Sequence, residues 1–253
     1  MAYFTVNVKP TIAASIQHAS AFSTGDLLFD WTEVNIGSRG ALLRSVTAMV
    51  RAKGDATPTR NAFAFHLLFS SSNATSLGTL NAAPDHVPND SFIGSMEFEA
   101  ANFVPNTLQS TTVATSGKAS NSGKDVTPMV LTPSTGQNLA TPGKIYVAAI
   151  AGGAFDFISL NANTEDLAAE HADSKVITMD GSGMDVREHF IDGDVIHIGT
   201  SVGTPAADSL IGTVASADSA TQITLDAVSA TELVDGDIFY NIHPIRLILH
   251  FER

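Results

Sequence analysis

The chain of 253 residues contains no cysteine. Disulfides, thiol catalysis and Cys-ligated zinc or iron–sulfur sites are therefore excluded. Charge of either sign is sparse: charged residues make up 15% of the chain, where about 25% is usual for a soluble domain. Positive charge is scarcer still. Thirteen Lys and Arg stand against 26 Asp and Glu, a formal net of −13, which argues against a dedicated nucleic-acid partner. No run approaches the roughly 20 apolar residues of a membrane span, and the first residues lack a basic stretch followed by an apolar one. A soluble, unexported chain with no membrane partner is expected. One Trp and three Tyr are few for a sugar-binding cleft.

What is present points to sheets. Apolar residues are 44% of the chain and include 14 Phe, while Ser, Thr, Asn and Gly supply the polar surface. That mixture favours β-structure over helical bundles. The charge is divided unevenly. Residues 156–240 hold 16 acids and two bases, Lys175 and Arg187; the other 168 residues hold 10 acids and 11 bases. A break this sharp suggests two units with different surroundings, the acidic one facing solvent. The plainer reading is that the acids serve solubility alone.

Residues 3–9 alternate and end at Pro10, a short strand or extended arm. Residues 11–24 are small and polar without a period. Residues 27–36 are apolar and contain Trp31, and 37–40 form a turn. In 41–52, strict alternation puts Leu42, Arg44, Val46 and Val50 on one face and Leu43, Ser45, Thr47 and Met49 on the other. Residues 62–69 give the clearest strand, with Phe63, Phe65, Leu67 and Phe69 on one face. Residues 70–91 read as a loop, 92–98 as a strand, and 105–143 as a long connection, functional or mobile, with bulky apolar residues only in 126–131. Strands follow at 144–150 and 155–160 around a Gly152-Gly153 hairpin signal. Residues 242–252 close the chain with Ile245, Leu247, Leu249 and Phe251 on one face.

These elements predict an all-β fold: an antiparallel, jelly-roll-like β-sandwich from residues 1–160 plus 242–253, with an N-terminal arm over 1–10. An acidic small β-barrel, residues 161–241, is inserted near the C-terminus. The insert carries an internal echo. Phe190-Ile191-Asp192-Gly193-Asp194-Val195-Ile196 recurs 43 residues later as Leu233-Val234-Asp235-Gly236-Asp237-Ile238-Phe239, each Asp-Gly-Asp turn preceding an apolar strand. Residues 175–240 are expected to give five or six strands, with a short helix over 164–171 capped by Thr164.

Candidate chemistry is thin. Residues 117–124 glance at a phosphate loop but fail its spacing, and Asp125 stands where Ser or Thr must bind magnesium. Asp180, Asp185, Glu188, Asp192 and Asp194, with His189 and His197, have the density of a hard-cation site such as calcium, yet fit no EF-hand spacing; turns and solvation explain most of these acids. Gly181-Ser182-Gly183 lacks the strand-to-helix setting of a nucleophile elbow. His66 reads as a half-buried structural residue. Glu97 and Glu99 share a strand face, as ordinary alternation allows. Trp31, Phe29, Phe63, Phe65, Phe69, Phe92 and Phe98 read as core, or in part as subunit interface. No catalytic, cofactor-binding or metal-binding residue is assigned, no cofactor is expected, and the chain is not expected to be an enzyme.

Leu27-Leu28-Phe29-Asp30, Gly40-Ala41-Leu42-Leu43-Arg44-Ser45-Val46-Thr47, Phe65-His66-Leu67-Leu68-Phe69, Asn81-Ala82-Ala83-Pro84, Phe92-Ile93-Gly94 and Ile145-Tyr146-Val147-Ala148-Ala149-Ile150 together resemble jelly-roll decoration (cement) proteins of tailed bacteriophage capsids, especially marine and cyanobacterial ones. The resemblance covers residues 20–160 and the last strand. It implies a β-sandwich, usually a homotrimer, made in the host cytoplasm and seated on the major capsid protein at the virion surface. It supplies no catalytic residues. The insert departs from the plain pattern and resembles outward appendages of other phage structural proteins. A tail, neck or fibre component with a host-attachment role is the alternative, and a carbohydrate-binding or carbohydrate-cleaving sandwich is the third.

Overall fold

The computed structural model describes residues 2–19, 21–37, 40–52, 61–86, 91–108, 111–116, 129–131, 143–157, 160–161, 175–179, 185–199, 209–229, 233 and 238–253. Within them the chain is all-β. Its elements are β1 (Tyr3–Val8), a short helix α1 (Ala14–Ala19), β2 (Leu27–Asn35), β3 (Ala41–Val50), β4 (Phe65–Ser70), β5 (Phe92–Phe98), β6 (Val104–Leu108), β7 (Thr111–Ser116), β8 (Met129–Leu131) and β9 (Lys144–Ala151). There follow β10 (Leu160–Asn161), β11 (Val176–Thr178), β12 (Val195–Gly199), β13 (Ser209–Ala217), β14 (Gln222–Leu225), β15 (Ile238–Asn241) and β16 (Ile245–Glu252).

Two antiparallel sheets form the sandwich. One runs β1-β16-β3-β7-β6, with β8 beside the start of β3; the other runs β2-β9-β4-β5. The chain alternates between sheets at β1, β2, β3 and β4, makes the β4–β5 hairpin, crosses back to β6–β7, and crosses again at β9 and β16. That is the winding of a jelly roll. The alternation read from the sequence explains the packing. Phe63, Phe65, Leu67 and Phe69 are buried, as are Ile245, Leu247, Leu249 and Phe251 from the opposite sheet. Alternate side chains of a strand point to one face, so each strand delivers one apolar row to the shared interior. Stacked rings, Phe65 on Phe98 at 4.9 Å and Phe4 on Phe251 at 5.1 Å, lie within it.

Several expectations change. In β3, Ala41 and Leu43 are buried together with Val46, Ala48 and Val50. The ladder with β16 slips between His250 and Phe251, which face Ser45 and Leu43. A bulge at Arg44 thus inserts one residue and carries Leu43 to the core face, where strict alternation had placed it outside. Gly152-Gly153 makes no hairpin onto β9: the chain continues to an isolated bridge between Phe155 and Phe22, and Gly152 N–H donates to Ala64 O at 2.7 Å. Residues 3–9, read as a short strand or an extended arm, take the first form: Tyr3–Val8 ladders onto Glu252–Leu247 of β16.

Of the aromatic set, Phe29, Phe63, Phe65, Phe69 and Phe98 are core, whereas Phe92 is exposed. Trp31 packs on the outer face of the four-stranded sheet with Leu27, Leu77, Leu80 and Ile150. The 71–86 loop is pinned there. Trp31 Nε1 donates to Thr75 O, and Asp30 accepts from Leu77 N–H and the Ser76 hydroxyl.

The 160–241 segment forms a third, six-stranded antiparallel sheet in the order β10-β15-β12-β13-β14-β11. Among the described residues no pair joins β11 back to β10. Its apolar cluster includes Ile177, Met179, Phe190, Ile196, Ile223 and Phe239, separate from the sandwich core. Its first and last strands pair with each other, Leu160 opposite Phe239. The expected helix over 164–171 lies outside the described residues.

Candidate functional site

The acids singled out in the sequence do not converge. Asp185 serves its own turn: its Oδ1 accepts from Arg187 N–H at 3.1 Å and Nε at 2.8 Å, and its Oδ2 from Arg187 Nη2 at 2.6 Å. That partner holds its carboxyl below the usual carboxylate range. Asp192 is exposed, and His197 lies half-buried on β12. Among the described residues no three His, Asp or Glu side chains could hold one metal ion. Asp180, Gly181-Ser182-Gly183 and residues 117–124 lie outside the described residues. His66 is half-buried on β4, opposite Glu97 and Ile150. Glu97 is exposed on β5, and Glu99 lies just past that strand's end.

One acid behaves differently. Asp194 closes the first Asp-Gly-Asp turn and is 1% exposed. Gly193 takes φ +76°, a conformation that favours glycine, and a Cβ there would lie 3.2 Å from Lys9 Nζ, which would have to give by a few tenths of an ångström. Asp194 Oδ2 accepts from Ile191 N–H at 3.0 Å and from Asn241 Nδ2 at 2.8 Å. These bonds fix the carboxylate inside the insert. Facing it are three cations from the sandwich: Lys9 Nζ and Arg246 Nη2, each 3.6 Å from Oδ1, and Arg51 Nη2, 3.6 Å from Oδ2. Lys9 follows β1, Arg51 follows β3, and Arg246 sits near the start of β16. Antiparallel pairing brings those three ends together at one edge of the sandwich.

Other contacts complete the junction. Lys9 Nζ donates to Gly193 O at 2.7 Å, and Thr111 Oγ1 to Glu188 O at 3.2 Å. Gln17 Nε2, on α1, donates to Asn241 O at 2.9 Å and to Ile12 O at 2.7 Å. Asn241 Nδ2 also donates to His189 O at 2.8 Å. Tyr240 packs on Ala14. His189 is 4% exposed, its Nε2 has no hydrogen-bond partner, and burial, then the nearby Arg51 charge, lowers its pKa to about 4. Burial also lowers the pKa of His243, whose Nδ1 is likewise unpartnered. No family model matches the sequence, and no curated protein matches it. The arrangement locks an acidic appendage onto a basic seat.

Sequence reading singled out Asp194 as one of several acids but missed its partners. Lys9, Arg51 and Arg246 lie 42, 195 and more residues apart along the chain, with no local pattern. The usable signal was that the sandwich portion, although nearly neutral, places single bases just past two strand ends and at the start of a third.

Proposed function

We propose that the protein is a virion structural component, a decoration protein that binds the outer surface of a phage head, contacts the major capsid protein and stabilises its lattice as a homotrimer. The observation that carries this reading is the jelly-roll winding with a separately cored appendage hung from one end. The resemblance of residues 20–160 to phage decoration proteins and the charge division support it. The outer face of the five-stranded sheet offers a surface suited to a protein shell: Thr5, Thr47, Met49, Thr115 and Ile248 are partly or fully exposed there. Its one acid, Glu252, is paired with Arg44. Such a face docks without a large desolvation cost for charge, and many copies bridging coat-protein boundaries add their binding free energies to the closed shell. The acidic insert then faces solvent and keeps particles apart.

The test is dissociation and rebinding. Decorated heads should withstand heat and low ionic strength better than stripped ones, and Thr47→Arg with Thr115→Arg should abolish rebinding of a folded protein. Stripped and decorated heads of equal resistance would refute the cement role. Antibody labelling confined to the tail would move the protein to the alternative location.

A further inference from the structure

The junction between the two units gathers charge of one sign. Lys9, Arg51 and Arg246 meet the single carboxylate Asp194, three positive charges against one negative, a net of +2. Two histidines stand in the same place. His189, from the insert, is 4% exposed, and its Nε2 has no hydrogen-bond partner. The charges that face it are Arg51, from the end of β3, and Asp185, from its own turn. His243 lies between β15 and β16; its Nε2 is 3.5 Å from Thr11 Oγ1, and its Nδ1 is buried without a partner. The groups that face it are Asp194, Lys9, Arg246 and His197 of β12. A neutral ring suits both places. A protonated ring carries a second N–H donor, which in each place would be buried without an acceptor. It also adds positive charge to a cluster already in excess of it.

We propose that the junction is an acid-operated latch: protonation of His189 and His243 releases the insert from the sandwich as a folded unit, and neutral pH docks it again. The fold permits such a step. The two apolar cores are separate, so undocking opens neither. Beyond the ion pairs, the bonds across the junction are few and polar: Lys9 Nζ to Gly193 O, Thr111 Oγ1 to Glu188 O, Gln17 Nε2 to Asn241 O and Ile12 N–H to Ile242 O. The strands by which the insert leaves and re-enters pair with each other, so it moves as one body on a double tether. The electrostatics agree in sign. Burial first, then Arg51, lowers the pKa of His189 to about 4, and Asp185 with the Ala52 backbone does not offset them. Burial lowers that of His243, against the pull of Asp194. Both rings therefore bind a proton more readily once the junction opens and they meet water. Docking is then complete above about pH 6.5 and weakens toward pH 4, by up to about 300-fold from His189 alone. His243 adds in the same direction. The inference is independent of the virion reading.

The test compares the purified full chain at pH 7.5 and 4.5 at matched ionic strength, by small-angle scattering, far-ultraviolet circular dichroism and amide exchange corrected for its intrinsic pH dependence. At pH 4.5 the radius of gyration should rise and the Ile12 amide should lose protection. The β4–β9 and β12–β13 ladders should keep theirs, the dichroism should hold, and return to pH 7.5 should reverse every change. His189→Gln with His243→Gln should stay docked at pH 4.5. Where dichroism shows that double variant unfolded at pH 7.5, His243→Gln alone is used, and its midpoint of release should move to lower pH. A wild-type chain of unchanged radius and Ile12 protection at pH 4.5 overturns the proposal. So does loss of both ladders together with the junction, or release at the wild-type pH in the folded variant.

Discussion

Replacing Asp194 by Asn keeps the side chain's shape and removes its charge. One face of the new amide still accepts from Ile191 N–H and Asn241 Nδ2. The other face then presents an NH₂ group to Lys9 and Arg246, donors facing donors, and Arg51 loses its counter-ion in a site where its side chain is 10% exposed. Breaking one partner of a buried ion pair costs about 3–5 kcal/mol. Lys9 and Arg246 are partly exposed and rehydrate, which discounts their share. The expected loss is therefore at the lower end, about 3 kcal/mol. Against a typical stability of about 5–15 kcal/mol, that is large. Two probes of urea unfolding separate its consequences. Trp31, the one tryptophan, sits on the sandwich and reports that unit, whereas far-ultraviolet circular dichroism reports all three sheets. In Asp194→Asn the dichroism transition should begin at lower urea than the Trp31 transition, because the insert keeps its own core but loses its fastening. Arg51→Met in the Asp194→Asn background should cost less than in the wild type, a coupling of about 1–3 kcal/mol. A loss below about 1 kcal/mol, or single losses that simply add, would refute the claim that this carboxylate fastens the two units.

Acid should loosen the same junction. His189 is held near 4 in the folded chain, below its unfolded value of about 6.5, so the unfolded state binds the proton first. Stability is then full above about pH 6.5 and falls as pH drops toward 4, by about 3 kcal/mol at roughly 1.36 kcal/mol per unit of pH. His243 is shifted the same way by burial and adds to the slope. Urea midpoints at pH 7.5 and 4.5 should differ less in His189→Gln than in the wild type. Core truncations should separate the two units. Phe65→Ala, in the sandwich core, should cost about 3–5 kcal/mol and move the Trp31 transition, whereas Ile196→Ala, in the insert core, should cost about 2–5 kcal/mol and move mainly the dichroism transition. Gly143 takes φ +94°, its carbonyl accepts from Ile36 N–H at 2.6 Å, and a Cβ there would fall 1.6 Å from Gly37 O. Gly143→Ala must therefore shift backbone, and a loss of more than about 1 kcal/mol in thermal unfolding is expected.

Strands whose apolar residues alternate in bulk were visible in the sequence, and β4 and β16 are the clearest cases. What was hidden followed other rules. β7 is built from Thr111, Thr112, Val113, Ala114, Thr115 and Ser116, residues too small or too polar to show a hydrophobic period. It enters the sheet through its backbone ladder with β3, Ser116 opposite Val46 and Thr112 opposite Val50, and Thr112 Oγ1 adds a bond to Asn61 O at 2.7 Å. Helix α1 has no capping signal and only six residues; it is held by tertiary contacts, Gln17 reaching Ile12 and Asn241. The bulge in β3 reversed the inferred face of Leu43, since one inserted residue exchanges the two sides of a strand. The Asp-Gly-Asp turns were recognised as turns, but nothing local distinguishes Asp192, which faces water, from Asp194, which faces three cations. That difference is written in residues 9, 51 and 246.

The placement of those three bases bears on why an insert of net charge −13 over residues 161–241 is tolerated at all. An appendage of one sign repels itself, and its attachment must overcome that without help from the apolar core it does not share. The sandwich supplies the opposing charge where the insert begins and ends. β9 and β16 belong to opposite sheets, so the segment between them must bridge the layers, and it does so at the edge where β1 and β3 end and β16 starts. The long-range attraction between basic seat and acidic insert is screened within about 8 Å at physiological salt. The buried contacts to Asp194 are screened far less. High salt should therefore slow the re-docking of an insert once released, yet leave the docked state nearly as stable. Stopped-flow refolding of the full chain at low and high sodium chloride, followed by circular dichroism, measures both limbs. A salt effect confined to unfolding, with refolding unchanged, would place the electrostatic work in the short contacts alone.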